Sequence, residues 1–129
     1  MTPHEPSSHP NKVLGPGQRE FYLERGYLLL EKFVDPEWLE RIWSVAREFI
    51  DESRSQHASD QRRIDLDPRH TAQSPRLRRL VDPEAHHELF WEFVSNGPLL
   101  DLAEDLLGTN LKFHHCKLNF KRCTARFPT

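Results

Sequence analysis

The stretch from Asn96 to Lys121 restricts the possible fold of this chain more than any other part of the sequence. It reads NGPLLDLAEDLLGTNLKFHHCKLNFK, which predicts a helix that starts at Pro98, stops at Gly108 and leads into a strand over Leu111–Phe120. A strand needs neighbouring strands to satisfy its backbone hydrogen bonds. Because the given sequence continues for only eight residues after Lys121, we expect the beginning of a sheet rather than a whole one.

Length and composition predict one small domain or less. Met1–Gly17 is rich in Pro, Ser and Gly and has almost no apolar run, which predicts a disordered N-terminal tail without a secretory signal. No apolar run approaches the roughly 18 residues that a membrane span requires. We therefore expect a soluble protein. Because two cysteines are too few for a disulfide framework, we also expect it to belong to the reducing cytoplasm.

The first half of the chain predicts two helices with a strand between them. Gln18–Arg25 is typical of a short helix, and Tyr27–Phe33 is a short apolar run that predicts a strand. Asp35 and Pro36 are typical of a helix N-terminus. Apolar side chains then recur every three or four residues, as in an amphipathic helix: Trp38, Leu39, Ile42, Val45, Ala46, Phe49 and Ile50.

A long polar stretch follows this second helix. Ser53–Pro75 has only Ile64 and Leu66 as sizeable apolar residues, and we expect a functional or mobile loop there. Asp82 and Pro83 then repeat the helix-start pattern. The helix that they predict would bury a stripe of apolar side chains, namely Leu89, Phe90, Phe93 and Val94.

A group of histidines and cysteines near the C-terminus raises the possibility of a zinc site. The group consists of His114, His115, Cys116 and Cys123. On a strand, His115 would face away from its two neighbours, and the spacing matches neither CxxC nor HxxxH. Ordinary strand residues are therefore the favoured interpretation.

Two groups of basic residues raise the possibility of an anion or nucleic-acid contact. Arg76, Arg78 and Arg79 could line an anion site or could coat the start of a helix, and composition favours the coat. From residue 112 onward the chain has no acid and five basic residues: Lys112, Lys117, Lys121, Arg122 and Arg126. This stretch contains no recognised nucleic-acid-binding motif, so we expect no nucleic-acid partner.

The order of these elements resembles the N-terminal part of the phytanoyl-CoA dioxygenase family. The resemblance rests on RGYLLLEKFVDPEWLERI and on RLRRLVDPEAHHELFWEFVSNGPLLDLAEDLLGTNLKFHHCKLNFK, and it covers about Gly17–Lys121. It implies an α+β fold: the helical part and first strands of a double-stranded β-helix of the jelly-roll or cupin type, truncated before the catalytic barrel is complete. The chain then divides into a tail over residues 1–17, a family-like part over residues 18–121 and a divergent tail over residues 122–129.

Members of that family are iron(II)- and 2-oxoglutarate-dependent oxygenases. The resemblance implies a full-length enzyme that hydroxylates a small or lipid-like substrate with oxygen and releases succinate and carbon dioxide. Its iron would be held by two histidines and a carboxylate, beginning with a His-x-Asp motif. Because no His-x-Asp occurs in this sequence, no metal ligand or catalytic residue can be assigned. The chain is expected to bind iron and 2-oxoglutarate poorly and to be inactive by itself.

Two cations match positions that border the 2-oxoglutarate pocket in the family. Lys117 matches a strand residue beside that pocket, and Arg79 falls near a basic residue that helps to bind the same cosubstrate. Both residue types suit a dicarboxylate because their N–H groups donate charge-assisted hydrogen bonds to carboxylate oxygens. The alternative is that both are solvated surface charges.

A second hypothesis is a small helical interaction module without catalytic activity. It would dock a partner through faces centred on Trp38, Trp43 and Trp91 or through the basic end of the chain. In either case the predicted strands lack partners, and unpaired strand edges promote self-association.

Overall fold

A computed structural model of the protein describes residues 10–121, which combine four helices with three short strands. Within this part, residues 10–40 and 90–114 form one compact unit, the helical unit, and residues 41–89 and 115–121 form a second one, the sheet unit. None of the helices in residues 10–121 is long and apolar enough to cross a membrane. The elements, in chain order, are α1 (Gln18–Arg25), α2 (Pro36–Ser53), β1 (Ile64–Leu66), β2 (Leu77–Val81), α3 (Glu88–Asn96), α4 (Pro98–Leu107) and β3 (Lys117–Asn119).

Local sequence signals correctly predicted α2 and α4. At the start of α2, the Asp35 side chain accepts a hydrogen bond from the backbone N–H of Trp38 at 3.0 Å, which is the expected N-cap geometry. Helix α4 begins at Pro98 and stops before Gly108, whose φ of 99° is unfavourable for residues with a side chain. These boundaries follow from chemistry within one helical turn, so the sequence pattern sufficed.

The predicted strand over Tyr27–Phe33 is wrong. These residues belong to no strand of the structure, and Lys32 has a φ of 56° that interrupts any extended run. Leu29 is 75% exposed, so the apolar character of this run does not reflect a buried sheet position within residues 10–121.

Part of the predicted N-terminal tail is held in place within the helical unit. Asp105 of α4 is fully buried, and its carboxylate accepts hydrogen bonds from the backbone N–H groups of Lys12, Val13 and Leu14 at 2.9, 2.8 and 3.1 Å. Leu14 is itself buried. For residues 12–14 the structure therefore differs from the predicted disordered tail, while residues 1–9 and the predicted divergent tail over residues 122–129 lie outside the described part.

The sheet unit contains an antiparallel sheet of three strands in the order β1-β2-β3. Two of these strands were not predicted: β1 lies inside the expected loop over Ser53–Pro75, and β2 replaces the expected arginine-coated helix start. Ile64 and Leu80 oppose each other in the sheet and are both fully buried. Burial of these two side chains explains why a stretch that is polar overall still forms a sheet.

A β-bulge explains why β2 was missed. Asp65 opposes Arg79, yet the next residue, Leu66, opposes Leu77, so Arg78 is an extra residue in β2. The bulge places Leu77 and Leu80 on the same buried face although they are three residues apart. That spacing is typical of a helix rather than a strand.

The strand predicted before Lys121 and the helix predicted after Asp82 both exist, but their bounds differ from the predicted ones. The expected strand over Leu111–Phe120 is only Lys117–Asn119. Asp82 does not cap an α-helix: its φ is 48°, a single 3₁₀ turn follows, and α3 begins only at Glu88. There the His87 ring accepts a hydrogen bond from the backbone N–H of Leu89 at 3.0 Å.

Candidate functional site

The sheet has one apolar and one polar face. Side chains directly opposite each other in an antiparallel pair lie on the same side, and alternate residues of a strand share a side. Ile64, Leu80 and Leu118 are therefore on the face that supplies the core. The opposite side, which we name the polar face, carries Asp65, Arg79, Val81, Lys117 and Asn119.

The structure places Arg79 and Lys117 on this polar face, on neighbouring strands. Arg79 opposes Asn119, and Lys117 opposes Val81. The two cations are thus diagonal neighbours, a relation in which Cα atoms are about 7–8 Å apart. Whether they bind 2-oxoglutarate stays a prediction, but their side chains can reach one small dianion.

The guanidinium of Arg79 donates one hydrogen bond within residues 10–121, and its two terminal nitrogens have no hydrogen-bond partner there. Its Nε donates to Oδ2 of Asp65 at 3.1 Å. The Asp65 side chain is 13% exposed and that of Arg79 is 40% exposed. The two terminal nitrogens of Arg79 can therefore donate to a carboxylate, which a guanidinium often contacts in a bidentate manner.

Asn119 is a candidate that the sequence interpretation missed. It is exposed, lies two residues after Lys117 on the same strand and opposes Arg79. Its amide can donate two hydrogen bonds and accept others. Strand alternation is the signal that could have found it, because residues two apart share a face. Asp65 was also missed, since its segment was read as a loop.

The group of histidines and cysteines, for which ordinary strand residues were favoured over a zinc site, lies only partly within the described residues. Burial, together with the nearby charges of Glu84 and Asp82, raises the pKa of the Cys116 thiol. His114 and His115 are exposed residues outside β3, and Cys123 lies beyond the described residues. Among residues 10–121, no group of three His, Cys, Asp or Glu side chains is placed so that it could hold a metal ion.

The tryptophans of the alternative hypothesis have different surroundings. In the helical unit, Trp38 packs edge-to-face on Phe93, with ring centroids 5.1 Å apart. Trp91, about half exposed, packs in the same way on Phe113. Trp43 belongs to the sheet unit and is also about half exposed. Each tryptophan thus has a local environment of its own, and a shared docking face stays a prediction.

Comparison with known proteins reveals a distant relative that is informative. The chain is 29% identical over 104 residues to a protein from Stutzerimonas stutzeri described as a probable alpha-ketoglutarate-dependent hypophosphite dioxygenase. The alignment covers 81% of this chain and 36% of the relative, so the chain spans about a third of the length of the curated relative that it matches. No protein-family model matches the chain, and no solved structure matches it either. Alpha-ketoglutarate is another name for 2-oxoglutarate, so the similarity supports a family of 2-oxoglutarate-dependent dioxygenases. It does not select the phytanoyl-CoA dioxygenases among such enzymes.

Proposed function

We propose that this chain is the N-terminal part of an iron(II)- and 2-oxoglutarate-dependent dioxygenase of the phytanoyl-CoA dioxygenase type. In this proposal the polar face of the sheet is one wall of the 2-oxoglutarate site in a double-stranded β-helix. The observation that carries the proposal is the pair of cations on that face, Arg79 and Lys117, which the family resemblance singled out independently of the sheet register. The similarity to a named 2-oxoglutarate-dependent dioxygenase supports it.

The chemistry of the polar face suits a dicarboxylate. 2-Oxoglutarate carries a carboxylate at each end, so it needs hydrogen-bond donors at two points. The terminal nitrogens of Arg79 can grip one carboxylate through two parallel bonds, and Lys117 adds a second positive charge on the next strand. Asn119 can donate to the remaining oxygens. The described residues thus fit part of a 2-oxoglutarate site.

Iron is a different matter, because the described residues offer no ligand set for it. The proposal assigns the iron ligands to the part of longer relatives that this chain does not match. In such relatives, iron and 2-oxoglutarate supply the oxygen-activating chemistry that yields succinate, carbon dioxide and a hydroxylated or oxidised substrate. The 129-residue chain should therefore release no succinate above a protein-free control when given iron(II), ascorbate, oxygen and 2-oxoglutarate.

The substrate is proposed only as a class. The relative's description names hypophosphite, a small phosphorus oxyanion, whereas the family resemblance implies a small or lipid-like molecule. A small oxyanion is the better supported of the two, since the measured similarity is to a protein with that description. Competition between hypophosphite and 2-oxoglutarate for the polar face would show that this surface does not distinguish the two anions.

A binding experiment tests the proposed wall directly. Backbone amide signals of the isotope-labelled chain are followed by NMR during a titration with 2-oxoglutarate at constant ionic strength. We expect weak, saturable shifts on β2 and β3, in the range of roughly millimolar affinity that corresponds to about −4 kcal/mol. The variants Arg79→Gln and Lys117→Gln should each weaken binding about two- to fivefold, as is typical for partly exposed charge contacts.

Two matched controls separate a specific site from general charge attraction. Arg78→Gln removes the same charge one residue away, at the bulge, and Lys112→Gln removes an exposed lysine outside β3. Both should leave the affinity for 2-oxoglutarate within error of the unmodified chain. Equal weakening by all four variants, or shifts that grow linearly without saturation, would refute the proposed wall.

A further inference from the structure

Asp65 is a carboxylate on the face where an anion is proposed to bind. Taking the proposed function as its premise, we infer that Asp65 is a positioning residue: it holds the guanidinium of Arg79 so that the terminal nitrogens are ready for a carboxylate of the ligand. Asp65 itself would not touch the ligand, because its negative charge repels one.

The contact between the two side chains uses only a small part of the arginine. Nε of Arg79 donates to Oδ2 of Asp65 at 3.1 Å, which leaves four of the roughly five N–H donors of a guanidinium for other partners. Those four have no partner within residues 10–121. The Asp65 side chain is 13% exposed and that of Arg79 is 40% exposed. The carboxylate of the pair is therefore shielded from water, while the guanidinium is partly open to it.

The β-bulge determines which arginine Asp65 holds. Leu66 opposes Leu77, and in a regular ladder the next pair would join Asp65 to Arg78. The extra residue shifts the register so that Asp65 opposes Arg79 instead. Arg79 thereby lies on the polar face opposite Asn119, and Arg78 is an exposed residue at the bulge. Bulges that redirect one side chain are frequent beside functional sites.

A plain surface ion pair is the competing explanation, and the two explanations predict opposite signs. Exposed ion pairs contribute about 0–1 kcal/mol to stability and constrain little. If Asp65 were only such a partner, its removal would delete a negative charge beside the anion site and release Arg79, so anions would bind more tightly. If Asp65 positions Arg79, its removal must weaken binding despite the gain in positive charge.

The experiment is the same NMR titration of the full 129-residue chain with 2-oxoglutarate, applied to Asp65→Ala and Asp65→Asn. We expect Asp65→Ala to weaken binding about two- to fivefold. Asp65→Asn keeps an oxygen that can accept from Nε of Arg79, so it should restore part of the affinity although it lacks the charge. Unchanged amide signals of Ala46 and Phe49, buried residues of α2 within the sheet unit, verify that each variant is folded.

The outcomes separate this inference from the function on which it rests. If the unmodified chain gives saturable shifts and Asp65→Ala binds equally well or more tightly, the positioning role is refuted and the proposed wall stands. If the unmodified chain gives no saturable shift on β2 and β3, the wall is refuted and the role of Asp65 falls with it. Acetate, a monocarboxylate, should compete much more weakly than succinate, because only a dicarboxylate can use both cations.

Discussion

The buried carboxylate of Asp105 offers the most direct test of how this chain folds, through the substitution Asp105→Asn. The carboxylate accepts the backbone N–H groups of three consecutive residues, 12–14, at 2.8–3.1 Å. Nη2 of Arg19 lies 3.9 Å from Oδ1, and Nε of the same arginine donates to the backbone carbonyl of Asp105 at 2.7 Å. Asparagine has the same shape, so the substitution changes charge and hydrogen bonding with almost no change in packing.

The expected loss follows from these bonds. With its amide oxygen in the place of Oδ2, the substituted asparagine keeps the bonds from Lys12, Val13 and Leu14 to that oxygen, but a neutral acceptor replaces a charged one. That change costs about 1 kcal/mol for each bond. The amide NH₂ then takes the place of Oδ1 and meets the N–H of Lys12, a donor instead of an acceptor, so Lys12 keeps only its bond to the remaining oxygen, at 3.0 Å. We expect Asp105→Asn to lower the free energy of unfolding by about 2–4 kcal/mol at neutral pH.

The pH dependence provides a second, independent signature. Burial by itself raises the pKa of Asp105, but the hydrogen bonds from Val13, Lys12 and Leu14 and the charge of Arg19 together hold it below its ordinary value. A lowered folded-state pKa contributes stability that is complete above the unfolded-state pKa, about 3.9, and is lost as the pH falls through the folded-state value. The unmodified chain should therefore lose its advantage over Asp105→Asn only below about pH 4.

Urea unfolding followed by circular dichroism measures this difference, and amide hydrogen exchange of residues 12–14 shows whether the segment detaches before the rest unfolds. Asp101→Asn is the matched control, since its carboxylate is about half exposed and lies 3.7 Å from the Lys12 ammonium. The control should cost less than about 1 kcal/mol. Equal stability of Asp105→Asn and the unmodified chain at neutral pH, or a difference that persists unchanged below about pH 3, would refute this account.

Three further predictions concern the sheet unit. Leu80→Ala empties a fully buried position and should cost about 2–5 kcal/mol in urea unfolding, whereas a loss below about 1 kcal/mol would place Leu80 outside the core. The ring of His70 has Nε2 at 2.9 Å from the backbone carbonyl of Ser53, and its Nδ1 accepts the backbone N–H of Arg76 at 2.9 Å. We expect His70→Ala to lower the free energy of unfolding by about 1–3 kcal/mol. His57 is exposed, and His57→Ala should change that free energy very little. The edge strands should make the chain self-associate, so sedimentation should show mass rising with concentration, and a monomer with a concentration-independent, sharp unfolding transition would contradict this.

The helices and the sheet differ in how far the sequence could predict them, for a physical reason. Helix α2 was predictable because its cap lies three residues from the N–H that it binds, Asp35 to Trp38. Strand β2 was not, because its one-residue bulge replaces the two-residue period by a helix-like spacing of Leu77 and Leu80. Asp105 binds residues 91–93 positions away, and no pattern within a sequence window contains that contact.

The candidate site shows the same division between near and distant information. Resemblance placed Arg79 and Lys117 beside a 2-oxoglutarate pocket, but the two residues are separated by the whole stretch from β2 to β3. Only the register of the sheet shows that they share a face with Asn119 and Asp65. The pairing of Asp65 with Arg79 could not be predicted from the sequence, because it depends on the bulge that shifts the register away from Arg78.

The exposure of the polar face determines what this chain alone can contribute to binding. Charges that remain in contact with water interact weakly, since the high dielectric of water screens them, and the same pairs become several times stronger when a site excludes water. Arg79 and Lys117 are partly or fully exposed, so under the proposed function we expect this wall by itself to orient a dicarboxylate but to bind it only weakly. If further chain covers the wall in longer relatives, enclosure should raise the affinity most where Arg79 is already held in place. Removal of Asp65 should then cost more in such a longer protein than in the 129-residue chain, and equal costs in the two would indicate that enclosure does not act through Arg79.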